Sequence, residues 1–280
     1  MLDRTSIARS IVDVDDVLNS VESISPVNSE MTPPVEGNTF DVASNLEPQR
    51  KKRSEWRVEL KFVVNETVAE QVRRWATQHL GPDGHCDPLL GDGYRVSSLY
   101  LDTPGFDIYH RSKPFGQRKF RLRRYGIEET IWLETKQKSN GLSRKRRAAV
   151  PESEIAMLQL PCNSEWYGDW FHRRIVTRQL HPVATVTYER FARIGSTSDG
   201  DIRLTIDRDL RGTGTSAWLV PRGSSEEIEL LPDGFVVELK FRDVMPVIFK
   251  QLLSDLPLHP AMFSKYRAAV DAHGLGKVSR

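Results

Sequence analysis

The stretch FRLRRY, residues 120–125, is followed by WLETKQK, residues 132–138, and both place charged side chains at every second position. Side chains two residues apart share one face of a β-strand. Arg121 and Arg123 would therefore lie on one face of the first strand, with the apolar side chains on the other. The second stretch repeats this arrangement. The two stretches together predict neighbouring strands that each have a charged face and an apolar face.

The same alternation recurs in segment after segment of the chain. Strand propensity does not favour Lys or Glu, so their repetition in strands calls for a reason beyond local preference. For any one pair, a solvated sheet face is a sufficient explanation. If the sheet closes with these faces inward, its cations would repel each other when the lumen is empty and would bind a polyanion. The alternating polar residues are Glu59, Lys61, Arg121, Arg123, Glu134, Lys136, Lys145, Arg147, Arg190, Arg203, Thr205, Asp207, Glu238 and Lys240.

The order of the predicted elements indicates the fold class. Eight or more alternating strands, helices inserted at intervals and no βαβ rhythm predict an α+β domain built on a closed antiparallel β-barrel with peripheral helices. Asn65 is expected to cap a helix that runs to about residue 80. A helical region is expected over 151–180, and two helices near the end of the chain, PVIFKQLLSDL and FSKYRAAVDAH. SAWLV, residues 216–220, reads as one further strand.

Charge is distributed unevenly along the chain, although the net charge is only +2. Residues 113–147 hold twelve Lys and Arg against three Glu, whereas the first 49 residues hold nine Asp and Glu against two Arg. The early segment is poor in aromatic residues and cannot bury enough apolar surface to fold alone. We therefore expect a disordered acidic tail over 1–53, a folded domain over 54–275 and a short tail over 276–280.

Cysteine spacing and hydropathy point to a cytoplasmic protein. Cys86 and Cys162 are far apart, with no spacing typical of a disulfide framework or a zinc site. No apolar run reaches the roughly 18 residues of a membrane span, and no secretory signal is apparent. We expect a reducing, cytoplasmic setting, and nothing in the sequence indicates the oligomeric state.

Nine short motifs, in order along the chain, resemble one protein family. They are RVELKF, SLYLDTP, RKFRLRRY, WLETKQK, RKRRAAV, TYERFA, RLTID, VVELKF and FSKYRAA. Each is a weak signal alone, but the ordered set over about residues 54–273 is similar to the VTC domain. That domain is the polyphosphate polymerase module of the vacuolar transporter chaperone complex and belongs to the triphosphate tunnel metalloenzymes.

The resemblance implies a tunnel in which inward cations hold ATP and inorganic polyphosphate, with Mn²⁺ or Mg²⁺ as cofactor. It implies an ATP-dependent polymerase, no nucleic-acid partner, and leaves open a membrane partner protein that receives the product. Glu238 matches the family's metal-ligand position, and Glu59 and Glu134 are further candidate carboxylates whose roles stay open. The expected catalytic residues are Arg121, Arg123, Lys136, Lys145, Arg190 and Arg203, and the expected substrate-binding residues are Lys61, Tyr188, Lys240, Lys265 and Arg147.

One departure from the wider superfamily bears on the activity. Tunnel enzymes such as triphosphatases open with Glu-x-Glu-x-Lys, whereas this strand reads Arg57-Val-Glu59-Leu-Lys61. The loss of one carboxylate and the gain of a cation favour the polymerase branch. Two alternatives stay open: a triphosphatase acting on inorganic triphosphate or nucleotides, and a non-catalytic module that binds polyphosphate or nucleotides.

Overall fold

Ten strands and five α-helices make up the computed structural model, which describes residues 57–85, 90–139, 142–222 and 227–276. The expected tail over 1–53 lies outside the described residues. The strands are β1 (Arg57–Val64), β2 (Gly81–Pro82), β3 (Gly93–Asp102), β4 (Arg118–Tyr125), β5 (Thr130–Ser139), β6 (Leu142–Pro151), β7 (His181–Thr197), β8 (Gly200–Gly214), β9 (Ile228–Glu229) and β10 (Phe235–Phe241). The helices are α1 (Glu66–His79), α2 (Asp107–His110), α3 (Asp169–Arg178), α4 (Val247–Asp255) and α5 (Lys265–Ala272), with a 3-10 helix at Glu152–Gln159.

Eight of the strands close on themselves. The hydrogen-bonded order is β7-β3-β4-β5-β6-β1-β10-β8, and β8 pairs back onto β7. Every pairing is antiparallel, while β2 and β9 add short extensions. The predicted closed antiparallel β-barrel is therefore confirmed.

In the closed barrel, one face of each strand points outward to the helices and the other points into the interior. Leu60 and Phe62 of β1 pack outward against Val72 of α1 and Phe249 of α4. Leu122 and its neighbours on β4 and β5 pack outward against Phe171 and the rest of α3. The apolar core thus lies between the outer wall of the barrel and the helices that pack against it. The charged faces of the strands line the interior.

The predicted helix start at Asn65 is confirmed. Its side-chain oxygen accepts a hydrogen bond from the backbone N–H of Val68 at 3.0 Å, as expected of a residue that satisfies a free N–H in the first turn. Ser264 caps α5 in the same way, through the N–H of Arg267 at 3.4 Å.

The structure corrects two predicted elements. The predicted strand at 216–220 is wrong, because these residues pair with no strand and the carbonyl of Val220 instead accepts a hydrogen bond from the Arg124 guanidinium at 3.3 Å. The predicted helical region over 151–180 is two separate helices, because residues 160–168 between them are not helical. Among the described helices none is both long enough and apolar enough to cross a bilayer.

Candidate functional site

The inward face of the barrel follows from the strand register. Arg121 lies opposite Glu134, Lys136 opposite Lys145, and Arg190 opposite Asp207. Residues paired across antiparallel strands point to the same face. The structure therefore brings together most of the predicted site residues: Lys61, Arg121, Arg123, Glu134, Lys136, Lys145, Tyr188, Arg190, Glu238, Lys240 and Lys265, with Glu59.

Glu134 joins two cations on one wall of the lumen. Arg121 donates from Nε and Nη2 to its Oε2 at 2.8 and 2.7 Å, and Lys145 contacts Oε1. Burial raises the pKa of Glu134, but Arg121 and Lys145 outweigh it and hold that pKa well below its ordinary value. Because Arg121 donates two short hydrogen bonds to one oxygen and Lys145 contacts the other closely, this geometry favours a neutralising role for Glu134 over the predicted role as a metal ligand.

A second cluster surrounds Glu59 and Glu238. Lys240 reaches Glu238 at 3.3 Å and Glu59 at 3.9 Å, while Lys136 contacts Glu59 directly. Lys61 lies 4.0 Å from Glu238 and donates to a backbone carbonyl at 3.3 Å. Burial raises the pKa of Glu238, but Lys240 and Lys61 hold it well below the ordinary value.

A third cluster is centred on Asp207. Arg190 donates to both of its oxygens at 2.6 and 2.8 Å, and Lys265 of α5 adds a contact at 2.7 Å. Burial raises the pKa of Asp207, but Arg190 and Lys265 outweigh it and hold the pKa well below its ordinary value. Tyr188 lies beneath these cations, with Lys265 Nζ 4.6 Å from its ring centroid. Helix α5 thus carries one cation of the lumen to strands far from it in sequence.

Two predicted residues lie apart from these clusters. Arg203 lies opposite Lys240 and keeps the inward face, but its guanidinium donates to the Tyr94 hydroxyl at 2.7 Å and to Asp83 at 2.9 Å, away from the three clusters. Arg147 is exposed, and its guanidinium lies 4.2 Å from the ring centroid of Trp132. Register places Arg147 opposite Glu134, but the structure records no ion pair between them. Arg147 therefore stands at the edge of the site.

Lys119 is a lumen cation that sequence reasoning missed. Its Nζ donates to Ser264 Oγ at 2.9 Å, and no carboxylate lies within ion-pair distance in the described part of the chain. Burial, followed by the charges of Lys61 and Lys136, lowers its pKa well below the ordinary value. The signal was present, because Lys119 lies two residues before Arg121 and shares its face.

The balance of charge in the lumen differs from the sequence-based expectation. We expected uncompensated repulsion in an empty lumen, but the structure interleaves the carboxylates Glu59, Glu134, Asp207 and Glu238 with the cations. Cations still outnumber carboxylates: Lys61, Lys119, Arg121, Arg123, Lys136, Lys145, Arg190, Lys240 and Lys265 face the same space. The lumen is held together by its own ion pairs and retains a positive excess for an anionic ligand.

The lumen opens into a cavity of about 670 Å³. Its wall combines inward residues of the strands with the segment before α5, which Lys61 holds through the carbonyl of Phe263. The lining includes Glu59, Lys61, Lys119, Lys136, Lys138, Arg111, Arg118 and Arg267. This cavity is the mouth of the tunnel, and the basic residues of its lining outnumber the acidic ones, Glu59 and Asp271.

The carboxylates of the lumen are the candidate metal ligands. In the described ranges no group of three His, Cys, Asp or Glu residues could hold a metal unaided. Glu238 and Glu59 nevertheless fit the joint binding of one metal ion, because Glu238 Oε1 is buried without a hydrogen-bond donor. Mg²⁺ and Mn²⁺ bind through one or two carboxylates together with substrate phosphates. The donor set therefore fits a hard cation that arrives with its phosphate ligand.

The chain matches a known domain family over most of its length. The VTC domain matches residues 56–273, nearly all of the described chain. The chain belongs to the VTC domain family. The resemblance inferred from the nine motifs is confirmed, while no curated protein matches the chain.

Several solved structures resemble this VTC domain at low sequence identity. A candidate adenylate cyclase from Bacillus halodurans is 16% identical, with coverage of 75% of this chain and 94% of that chain and a TM-score of 0.47. A candidate adenylyl cyclase from Hippeastrum, described as having a dominant triphosphatase activity, is 14% identical, with coverage of 79% of this chain and 96% of that chain and a TM-score of 0.43. A protein from Pyrococcus horikoshii is 12% identical, with coverage of 77% and 99% and a TM-score of 0.42.

Anion binding by this VTC domain should weaken as the pH rises through about 8. Burial lowers the pKa of Lys145 to about 8, against the opposing effect of Glu134. Burial raises the pKa of Tyr125, but Arg123 and Lys145 outweigh it and lower that pKa to about 8. Tyr125 shares the inward face of β4 with Arg121 and Arg123. Deprotonation of Lys145 removes a positive charge and ionisation of Tyr125 adds a negative one, so both lower the net positive charge of the lumen. Calorimetry should show the affinity for inorganic triphosphate falling about tenfold from pH 7 to pH 9, the cost of losing one charged contact.

The matched control is Lys145→Arg, whose guanidinium keeps its charge throughout this range. Titration of the ligand itself contributes equally to both proteins and cancels in the comparison. We expect the pH dependence of the variant to be clearly shallower than that of the wild type. Identical pH profiles would assign the effect to other groups.

Proposed function

We propose that this chain is a metal-dependent polyphosphate polymerase, which transfers the terminal phosphate of ATP onto a growing inorganic polyphosphate chain. Membership of the VTC domain family supports an enzyme that binds triphosphates in a tunnel. The observation that carries the finer proposal is the excess of cations over carboxylates along a closed lumen, because a polymer of phosphate needs continuous neutralisation. We further propose a cytoplasmic location and, as an open partner, a membrane protein that receives the product.

The proposed roles follow the three clusters. Arg121, Arg123 and Lys145 would neutralise the phosphoryl group in transfer, and Arg190 with Lys265 would hold a neighbouring phosphate above Tyr188. Lys61, Lys136 and Lys240 would bind phosphates beside the two carboxylates. Arg203 and Arg147 keep peripheral roles, and Lys119 joins the set at the mouth.

The reaction requires little covalent chemistry from the protein. A terminal oxygen of the polyphosphate chain attacks the γ-phosphorus of ATP, a new P–O–P bond forms, and the bond to the β–γ bridging oxygen breaks to release ADP. No general base is needed, because the attacking oxygen is already anionic. Catalysis therefore consists of alignment and of stabilising the charge on the transferring group, which positioned guanidinium and ammonium groups supply. A bound Mg²⁺ or Mn²⁺, held by Glu238 and Glu59, would add further neutralisation of the phosphate oxygens.

A triphosphatase is the second candidate, since two carboxylates remain to hold a metal. Arg57 weighs against it, because a cation stands where the hydrolases of the superfamily carry their first glutamate. A non-catalytic binding module is disfavoured by Glu238, because its Oε1 is buried without a hydrogen-bond donor and so suits a metal better than a purely structural ion pair.

The decisive experiment separates the products. Purified protein incubated with ATP and Mn²⁺ or Mg²⁺ should yield ADP and an acid-labile phosphate polymer that gels resolve by length. Glu238→Gln serves as the control with the carboxylate charge removed, and it should lose metal-dependent turnover. Release of free phosphate without polymer, at every concentration of added polyphosphate primer, would establish the triphosphatase instead.

The domain division is also a proposal. We propose that residues 54–275 form the complete catalytic unit, so a chain lacking 1–53 should polymerise at the rate of the full chain. The alternative outcome is inhibition by the acidic segment. An acidic segment tethered near a basic mouth could compete with phosphate at a high effective concentration, and salt would weaken that competition. A truncated chain several-fold faster at low salt, with the difference vanishing as salt rises, would make the segment an inhibitor.

A further inference from the structure

A second group of arginines lies outside the tunnel, on the wall where α3 crosses β4, β5 and β6. We name it the outer arginine patch; it consists of Arg118, Arg144, Arg146, Arg174 and Arg178. Arg118 shares the outer face of β4 with Phe120, which packs against Phe171 of α3 at a ring separation of 6.4 Å. The patch therefore belongs to the packed outer wall and not to the lumen.

Aromatic rings hold three of these guanidinium groups in place, those of Arg146, Arg174 and Arg178. Arg146 lies 4.0 Å and Arg174 lies 5.2 Å from the ring centroid of Trp170. Arg178 lies 5.9 Å from the ring of Phe120. Arg174 also donates to the backbone carbonyl of Trp170. Because a guanidinium on an aromatic face is held without losing its outward donors, the patch presents preorganised N–H groups to solvent.

Within the described ranges, the patch is not neutralised by carboxylates. None of its five arginines makes an ion pair within 4.0 Å in the ranges that the structure describes, in contrast to the cations of the lumen. Burial, followed by the charges of Arg146, Arg178 and Arg118, lowers the pKa of Arg174. Like charges gathered without a partner are unfavourable until an anion joins them.

The patch is continuous with the mouth of the tunnel. Arg118 lines the mouth cavity together with Lys119, Lys136 and Lys138. Gln137 pairs with Arg118 on one side and with Arg144 on the other, so two strand spacings, about 10 Å, separate the two arginines. A basic path thus leads from the lumen over the rim to the outer wall.

We propose that the outer arginine patch binds the part of an inorganic polyphosphate chain that lies outside the tunnel. The inference deepens the proposed function and rests on it. The patch is wide and open, which suits an extended chain of repeating phosphates better than a small ligand that needs a concave pocket. Arg146 and Arg174 already lie against Trp170, so its ring is poorly placed to stack with nucleic-acid bases.

The test compares two charge-matched variants of the full chain. One carries Arg146→Gln, Arg174→Gln and Arg178→Gln. The other carries Arg74→Gln, Arg208→Gln and Arg211→Gln, which remove the same charge from exposed arginines elsewhere on the surface. A third variant, Arg144→Gln with Arg178→Gln, leaves both guanidinium groups on Trp170 in place and serves if the first fails to fold.

Binding is measured by calorimetry, without ATP or metal, for inorganic triphosphate and for long-chain polyphosphate. The patch variant should bind long chains about tenfold more weakly, with a shallower salt dependence by roughly one unit of slope for each lost contact. Its affinity for triphosphate, which fits the tunnel alone, should match the wild type. The control variant should resemble the wild type with both ligands.

Three outcomes would overturn the inference: equal loss for both ligands, no loss for either, or a patch variant that keeps its long-chain affinity but no longer binds phosphatidylserine vesicles. The last would assign the patch to a membrane surface. The binding measurement does not depend on turnover. If the polymerase assay fails but the patch variant still shows the expected loss of long-chain affinity, the proposed reaction is refuted and the proposed binding site is retained.

Discussion

Arg123→Gln is expected to lower kcat/KM for ATP by about 100- to 1,000-fold while leaving the ligand-free protein at least as stable as the wild type. Arg123 donates to Ser98 Oγ at 3.0 Å and has no carboxylate within ion-pair distance in the described ranges. Its removal leaves no buried charge without a partner and relieves crowding with Arg121. Steady-state kinetics and thermal unfolding without ligand check the two halves of this prediction.

The neighbouring arginine provides the matched control. Arg124 faces the outer side of the same strand, is fully buried, and bonds to Glu152 and to the carbonyl of Glu128 at 2.7 Å. Arg124→Gln should therefore destabilise the fold by about 2–4 kcal/mol while the folded fraction keeps its turnover. If Arg123→Gln instead lowers the melting temperature and spares activity, the inward arginine is structural and the proposed role is wrong.

Asp207→Asn should produce the largest loss of stability among the lumen variants, about 3–5 kcal/mol in the free energy of unfolding. The wild-type carboxylate is fully buried between Arg190 and Lys265, and an amide leaves both cations without a counter-charge. Inorganic triphosphate should recover much of the loss, because it supplies the missing negative charge and binds only the folded state. Denaturant unfolding with and without triphosphate measures both effects.

Asp209→Asn is the control for this prediction. Asp209 lies two residues further along β8, is exposed, and among the described residues forms its ion pair with the partly exposed Arg211. Its loss should change stability by less than about 0.5 kcal/mol. An Asp207→Asn protein as stable as that control would show that the lumen tolerates its cations unaided.

The same Asp207 implies an acid limit to stability. Its pKa in the folded state lies below the value in the unfolded chain, so its contribution is present above the unfolded pKa. That contribution is lost as the pH falls through the folded value. Asp207→Asn should therefore flatten the acid side of the stability profile.

The inward faces could be predicted from sequence because they depend on a local rule. A period of two assigns Arg121 and Arg123 to one face whatever the strand pairs with. Closure of the barrel could be predicted from the number of such strands and the lack of a βαβ rhythm. The partners could not be predicted in this way, since Lys136 meets Glu59 across 77 positions, and the two residues lie on strands that do not pair with each other.

The misses have equally specific causes. Lys119 follows Arg118 directly, and two adjacent charges hide the alternation that continues to Arg121. Arg147 keeps the inward period, but Trp132 holds its guanidinium at the edge. The 216–220 segment is a short apolar run like that of a buried strand, yet it joins no strand in the described ranges, and the carbonyl of Val220 accepts a hydrogen bond from Arg124. In each case a tertiary contact overrides a local pattern that is real.

Closure of the barrel has a consequence for how the protein is made. β1 forms seven register pairs with β10 but only two with β6. The ribosome delivers chains from the N-terminus at about 5–20 residues per second, so β1 waits on the order of ten seconds or more for residues 235–241. During that interval its unpaired backbone can template pairing with another nascent chain. Lys265 emerges later still, so the anion site is the last part to be completed, and β1 is the segment that most needs a chaperone during translation.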